Sequence, residues 1–265
     1  MRETILSLLP EDYPWADRLE YVPRSDSTNT RLKEAALRGA PHGTALIAGA
    51  QTGGRGRMGR SFQSPEGSGV YLSMLLRPDC APGELMHLTC AVAQAMCPAL
   101  ERVSGIRPGI KWTNDLVFGR RKLGGILTEL GFGSDGRVDY CVIGIGINCL
   151  QRETDFHESI RGFAGSLSMV SGKTVSPAHT AAAMLEALWK MDAVLLKDKE
   201  HILRTYRENC VTLGQEISLL RSDMVRHGKA LDIDDDGALI VEFSDGHTEA
   251  VNSGEVSIRG MYGYV

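Results

Sequence analysis

One octapeptide limits the possible folds of this chain more than any other stretch. Residues 53–60 read Gly-Gly-Arg-Gly-Arg-Met-Gly-Arg. Taken literally, Gly54-x-Gly56-x-x-Gly59 satisfies the dinucleotide fingerprint, and Asp79 falls about where its acidic partner would lie. That fingerprint must open a helix. Here Gly59 is followed by turn formers over 61–69 and then by a second β segment, so a doubly wound nucleotide fold is excluded. No lysine followed by Ser or Thr comes after the glycines, which excludes a Walker A loop. The segment is a ligand cradle or lid of another kind. Its glycines let main-chain N–H groups approach a ligand, and its three arginines present planar cationic forks, a combination that suits a polyanion. A solvated basic surface loop and a nucleic-acid patch are the other readings of the loop alone.

Charge weighs against the nucleic-acid patch. Lys and Arg number 29 against 33 Asp and Glu, a formal net charge of -4, whereas general phosphate neutralisation needs clustered positive charge over a sizeable face. The loop arginines are therefore a local device. The six cysteines, at 80, 90, 97, 141, 149 and 210, form no C-x-x-C pair and have largely apolar neighbours. They read as reduced core residues of a cytoplasmic protein. No metal-ligand set emerges, no apolar run is long enough to span a bilayer, and the N-terminus has no signal-peptide pattern.

Along the chain, residues 1–17 read as a helical or irregular lead-in and 18–22 as a first strand. Ser25, Asp26, Ser27, Thr28 and Asn29 supply cap-forming side chains before a helix over 30–38, and Gly39 is its stop. Strands at 44–50 and 70–76 hold the Gly-Arg loop between them. A helix over 84–103 follows, with a kink expected at Pro98. Short β segments at 110–112, 116–118, 125–130 and 138–147, separated by glycine turns, read as an antiparallel meander. Ser176-Pro177 opens a helix running to Leu195, and another lies around 200–208. From Leu213 the pattern changes to short strands and tight turns, the mark of a small β-barrel. With no regular βαβ alternation, the main domain is α+β with a mainly antiparallel sheet. The expected division is a lead-in over 1–24, a main domain over 25–212 and a small domain over 213–265.

Polar groups gather at three further places. Lys111-Trp112-Thr113-Asn114-Asp115 packs a cation, an aromatic, an amide and a carboxylate between β segments. Trp112 reads equally as a core anchor. Lys122 enters a glycine-rich strand whose small residues would leave room for a ligand, or else it is a hairpin-edge lysine. Gly144-Ile145-Gly146-Ile147-Asn148 repeats the design and ends in an amide able to donate and accept at once, as an adenine edge requires.

Taken together, these elements resemble biotin protein ligase. The family loop G-R-G-R-x-G-R is matched in full by Gly54 through Arg60, and its K-W-P-N-D cluster is matched except that Thr113 stands where proline is usual. Phe62 occupies a place where tryptophan is frequent. The likeness runs from about Asp26 to Arg259 and includes a Gly254-Glu255-Val256-Ser257-Ile258-Arg259 ending. It implies a catalytic domain like that of class II aminoacyl-tRNA synthetases with an SH3-like β-barrel behind it. It implies, as activity, joining biotin to ATP as biotinyl-5′-AMP with Mg²⁺, then passing biotin to a lysine of the biotin carboxyl carrier domain of a carboxylase. By the same resemblance, Ser27, Thr28, Asn29 and Gln51 surround the ureido ring, and Arg55, Gly56, Arg57 and Lys122 hold the tail and carboxyl. Arg55, Arg57, Arg60, Asn114 and Asn148 face the nucleotide, and Arg57, Lys111, Asp115 and Lys122 carry the chemistry. Asp115 orients or deprotonates the incoming lysine, or only fixes Lys111 or the loop. A monomer or homodimer without DNA or membrane contacts is expected. The rivals are a lipoate or octanoate ligase of the same superfamily and a non-catalytic biotin sensor; the latter is disfavoured because only about 25 residues precede the matched region.

Overall fold

The computed structural model describes residues 1–221, 224–252 and 257–260. The chain builds a seven-stranded sheet covered by helices, followed by a five-stranded antiparallel sheet. In chain order the strands of the large sheet are β1 (Leu19–Ser25), β2 (Thr44–Gln51), β3 (Gly69–Leu76), β4 (Gly109–Lys111), β5 (Asp115–Phe118), β6 (Arg121–Phe132) and β7 (Val138–Asn148). They lie side by side as β1-β2-β3-β7-β6-β5-β4. β1 runs parallel to β2, and every other pair is antiparallel.

Side-chain alternation gives the two faces of the sheet different jobs. On one face Val70, Leu72, Met74 and Leu76 of β3 and Cys141, Ile143, Ile145 and Ile147 of β7 join one large buried cluster. That cluster also takes in α3 (Leu88–Ser104), α5 (Pro177–Asp192) and α6 (Lys199–Asn209). On the other face Leu46, Leu75, Tyr140 and Val142 pack under α2 (Thr28–Leu37) through Leu32 and Ala36. The rest of this second face, beyond the α2 N-terminus, carries Ser73, Gly144, Gly146 and Asn148. There the candidate site lies.

α2 begins at Thr28, two residues before its expected start, with Ser27 as cap accepting from the Thr30 N–H; α5 begins at Pro177 as expected, Ser176 accepting from the His179 N–H. Gly39 and Gly105, with φ of 85° and 74°, take the left-handed conformation after α2 and α3. α3 continues across Pro98 as one helix, and α5 stops at Asp192, three residues before the expected end. Residues 1–24 are no separate lead-in: Leu19–Ser25 is a sheet strand, and Ile5, Tyr13 and Trp15 are buried in the main core with α1 (Arg2–Leu6). A short helix α4 (Leu167–Ser171) lies in a stretch that lacked any periodic signal.

The small sheet is ordered β11-β10-β9-β8-β12, from β8 (Glu216–Arg221), β9 (Met224–Ile233), β10 (Leu239–Phe243), β11 (Thr248–Val251) and β12 (Ser257–Gly260). Of the expected ending, residues 254–256 lie outside the described residues, and 257–260 are β12. Ile217, Leu219, Ala230, Leu239 and Val241 join the main buried cluster, so the two sheets share one core. All six cysteines are buried and unbridged. No described helix is long and apolar enough to cross a membrane.

Candidate active site

A cavity of about 880 Å³ opens on the α2 face of the large sheet. Ser27, Thr28, Asn29, Gln51, Arg55, Gly56, Arg57, Arg60, Lys111, Asn114, Asp115, Lys122 and Asn148 all line it. Sequence separations of up to 121 residues are thus brought to one volume, by β2, the β4–β5 hairpin, β6, β7, the α2 N-terminus and the Gly-Arg loop.

The closed end of the cavity is polar and internally satisfied. Gln51 Oε1 accepts from the Thr28 N–H at 2.8 Å, and Gln51 Nε2 donates to Ser64 Oγ at 3.1 Å. Ser73 Oγ lies 2.7 Å from Thr28 Oγ1 and donates to Asn29 Oδ1 at 2.5 Å, while Asn29 Nδ2 donates to Glu129 Oε2 at 2.9 Å. Lys33 then pairs with the other Glu129 oxygen at 2.5 Å. Each buried amide and hydroxyl has its orientation dictated by a neighbour.

The Gly-Arg loop folds back on itself as a small hairpin. Phe62 N–H donates to Gly54 O at 2.9 Å, and Gly56 N–H to Arg60 O at 2.7 Å. A Cβ on Gly54 would lie 2.5 Å from Phe62 O, so the hairpin itself demands that glycine. Met58, at φ 56°, and Gly59, at φ 72°, turn the tip through the left-handed region. Gly56, whose N–H is taken by the bond to Arg60 O, would meet only ordinary contacts with a Cβ, so packing within the loop does not itself demand glycine there.

At the cationic end, Arg57 Nη1 donates to Asn114 Oδ1 at 3.0 Å, but Nη2 is buried and has no partner among the described residues. Burial lowers the Arg57 pKa, Asp115 opposes that shift, and the Arg60 charge adds to it. Lys122 Nζ and Asp115 Oδ1 form an ion pair at 2.6 Å. Lys111, only 5% exposed, stands opposite Asp115 in the β4–β5 register.

Several residues have jobs that their sequence context did not suggest. Gly144 and Gly146 do not simply leave room for a ligand: Asn29 occupies the space beside the first, 2.0 Å from an ideal Cβ, and Phe62 the space beside the second, at 2.5 Å. Each asparagine expected to face the nucleotide spends part of its amide inside the protein. Asn114 Nδ2 donates to Ile126 O at 2.9 Å, and Asn148 Nδ2 donates to Gly165 O at 2.9 Å. Trp112 is both core anchor and cavity wall, its indole N–H donating to Gly237 O of the small sheet at 3.0 Å. The peptide between Trp112 and Thr113 is cis, and the Thr113 hydroxyl is buried with no partner among the described residues. Phe156, His157, Ser159, Ile160 and Phe163 close one wall from the segment between β7 and α4.

Two family models match. The biotin/lipoate A/B protein ligase family covers residues 21–148, and the biotin protein ligase C terminal domain covers 212–259. A bifunctional ligase/repressor BirA of Bacillus spizizenii is 35% identical over 229 residues, spanning 86% of this chain and 70% of that protein. The chain belongs to the biotin protein ligase family. A biotin–[acetyl-CoA-carboxylase] ligase of Mycobacterium tuberculosis is 29% identical, spanning 90% of this chain and 88% of its own. Among solved structures, the biotin protein ligase of Aquifex aeolicus in complex with biotin and ATP superposes with a TM-score of 0.78 at 31% identity. It covers 91% of this chain and 98% of that one, so the ligase scaffold extends over both sheets.

Proposed function

We propose that the cavity performs both half-reactions of a biotin protein ligase. In the first, a biotin carboxylate oxygen attacks the α-phosphorus of ATP, and the bond to pyrophosphate breaks. In the second, a carrier lysine nitrogen attacks the acyl carbon of biotinyl-5′-AMP; the carbon–oxygen bond to AMP breaks and the amine gives up a proton. The observation that carries this reading is the unpartnered, buried Nη2 of Arg57. A charged donor buried without a partner is costly, and an anionic oxygen arriving at the loop would satisfy it.

The two ends of the cavity divide the ligand. A urea ring offers one acceptor and two donors, which suits the closed end around Ser27, Thr28, Asn29 and Gln51. The dithiolane of a lipoyl chain offers no comparable hydrogen-bonding edge, so that polar end favours biotin over the lipoate alternative. Arg55, Gly56 and Arg57 wrap the acyl tail, and Arg57, Arg60 and Lys122 meet the adenylate phosphate. Asn114 and Asn148 face adenine with the amide hydrogens and lone pairs that their internal bonds leave. Mg²⁺ enters as counterion of the triphosphate, part of the substrate rather than a resident of the chain, and Lys111 and Lys122 add the protein's own positive charge.

Asp115 acts in the second step. A free lysine is about three units below its pKa of about 10.4 at neutral pH, so the amine needs a carboxylate to take its proton. Lys122 and Asp115 are paired at 2.6 Å before any ligand arrives, and in this reading Lys122 turns to the acyl-phosphate while Asp115 turns to the incoming amine. The same reading makes the large sheet with its helices a catalytic unit of class II synthetase type and the small sheet an SH3-like barrel. Its macromolecular partner is a carboxylase carrier domain.

Purified protein given ATP and biotin should release pyrophosphate in a biotin-dependent manner and yield the adenylate by mass. Labelled biotin should then pass to the lysine of a carrier domain. Adenylate formed with lipoate and not with biotin would reverse the assignment.

A further inference from the structure

Asn148 closes β7 at the cavity wall and is buried, 6% exposed. Its amide orientation follows from a chain of forced choices. Gly165 O can only accept, so the group 2.9 Å from it must be Asn148 Nδ2. Asn148 Oδ1 therefore points the other way and needs a donor. Gln151 Nε2 supplies it at 3.1 Å. That choice leaves Gln151 Oε1 buried with no partner among the described residues, on a side chain only 2% exposed. Turning the glutamine over would set two carbonyl oxygens against each other, so the orphaned acceptor is the lesser cost. The backbone of Gln151 is itself pinned, its carbonyl accepting from Ser166 Oγ at 2.6 Å.

From this we infer that Gln151 is the positioning residue that locks the Asn148 amide one way round, and so lets the site distinguish adenine from a 6-oxopurine. The inference rests on the proposal that Asn148 faces the base. An amide free to rotate reads either purine. On its Watson–Crick edge adenine offers a donor at N6 and an acceptor at N1, whereas hypoxanthine offers an acceptor at O6 and a donor at N1. The patterns are mirror images, and a half-turn of the asparagine amide converts one reader into the other. With Gln151 donating to Oδ1 and Gly165 accepting from Nδ2, the half-turn creates two clashes, acceptor on acceptor and donor on donor. The remaining N–H and lone pair of Asn148 then present a single pattern. Gly165 belongs to the stretch that pairs with Lys122, since Gly165 N–H donates to Lys122 O at 2.9 Å. The base-reading amide and the catalytic lysine thus share one backbone support.

The test compares ATP with ITP as the nucleotide in biotin adenylate formation. Gln151→Glu replaces the donor by an acceptor, so either orientation of Asn148 now meets one clash; Gln151→Leu removes the donor without repulsion. The ATP-over-ITP ratio of kcat/KM should fall by about tenfold or more in Gln151→Glu and by less in Gln151→Leu, with the KM for biotin unchanged. A merely structural role would alter both nucleotides together and leave the ratio where it was. Asn148→Ala separates the two layers. If it abolishes the discrimination while both Gln151 variants keep the parent ratio, the lock is wrong and the base contact stands. If Asn148→Ala also keeps the parent ratio, the base contact and the lock both fall. Should Gln151→Glu not fold, as judged by its melting curve, the ratio in Gln151→Leu decides alone.

Discussion

The two ends of the cavity differ in how they are finished before any ligand arrives. At the closed end, Thr28, Asn29, Gln51, Ser73 and Glu129 satisfy one another in a continuous hydrogen-bonded set. At the cationic end, Arg57 keeps a buried nitrogen without a partner among the described residues, and Lys122 and Asp115 form an ion pair beside it at the cavity wall. The first arrangement preorganises a shape for recognition. The second holds back interactions that only the reacting group completes, which is where transition-state stabilisation resides. Substitutions at the cationic end should therefore act on rate and intermediate lifetime, and those at the closed end on KM.

The largest expected effect tests the cationic end directly. Lys122→Ala should reduce biotin-dependent pyrophosphate release by about 10²–10³-fold, the usual cost of one electrostatic donor to a developing anion. A loss confined to the KM for biotin would instead place Lys122 with the recognition groups. Next in size, Arg57→Ala should leave the fold intact but shorten the half-life of bound adenylate by about 10²-fold, because the phosphate loses its charged donor. Equal half-lives in mutant and parent would remove Arg57 from that role.

The same contrast explains what was legible in the sequence. The cationic end is the more legible, because the arginines and glycines over 53–60 and the lysine before Leu123-Gly124-Gly125 stand out in the sequence, although a solvated loop and a hairpin-edge lysine are the competing readings. The supports of the closed end are silent. Ser73 stands in the apolar run Val70-Tyr71-Leu72-Ser73-Met74 as one small polar residue, and Glu129 reads as the polar half of a strand alternation. The β3–β7 register sets Ser73 beside Gly144, against Asn29, and the hydrogen bonds of Asn29 with Ser73 and Glu129 show that both serve it. The sheet was legible from period and turns. The parallel pairing of β1 with β2 was not, since it depends on a helical crossover rather than a local turn. The wall from Phe156 to Phe163 lacks periodicity and gave no signal.

The closed end has its own test, smaller in size. Ser73→Ala removes a fully buried hydroxyl and leaves Asn29 Oδ1 without its 2.5 Å donor. Losing one buried hydrogen bond of this kind costs about 1–3 kcal/mol. If the closed end only recognises, the KM for biotin rises by about tenfold with kcat nearly unchanged, the signature of lost uniform binding. A matching fall in kcat would mean that the two ends are not energetically separate.

The smallest effect probes whether the small sheet belongs to one end or to neither. Gly237 sits at φ 83° in a turn between β9 and β10, and its carbonyl accepts from the Trp112 indole. The same stretch is held by Thr212 Oγ1 accepting from the Trp112 N–H at 2.9 Å and by Tyr206 donating to Thr113 O at 3.1 Å. Behind the Lys111–Asp115 turn there is thus a second set of bonds, made by α6, the segment after it and the turn between β9 and β10. Gly237→Ala would force a Cβ into the left-handed region and to 2.9 Å from Cys90 Sγ, a cost of about 1–3 kcal/mol at a site the ligand never touches. The expected outcome is a lower melting temperature together with a fall of a few-fold in adenylate synthesis, arising from displacement of Trp112, and no change in the KM for biotin. Supplementing with excess biotin would not restore the rate. If activity measured well below the melting transition equals that of the parent, the small sheet supports the core alone, and the cationic end is positioned entirely by the strands that carry it.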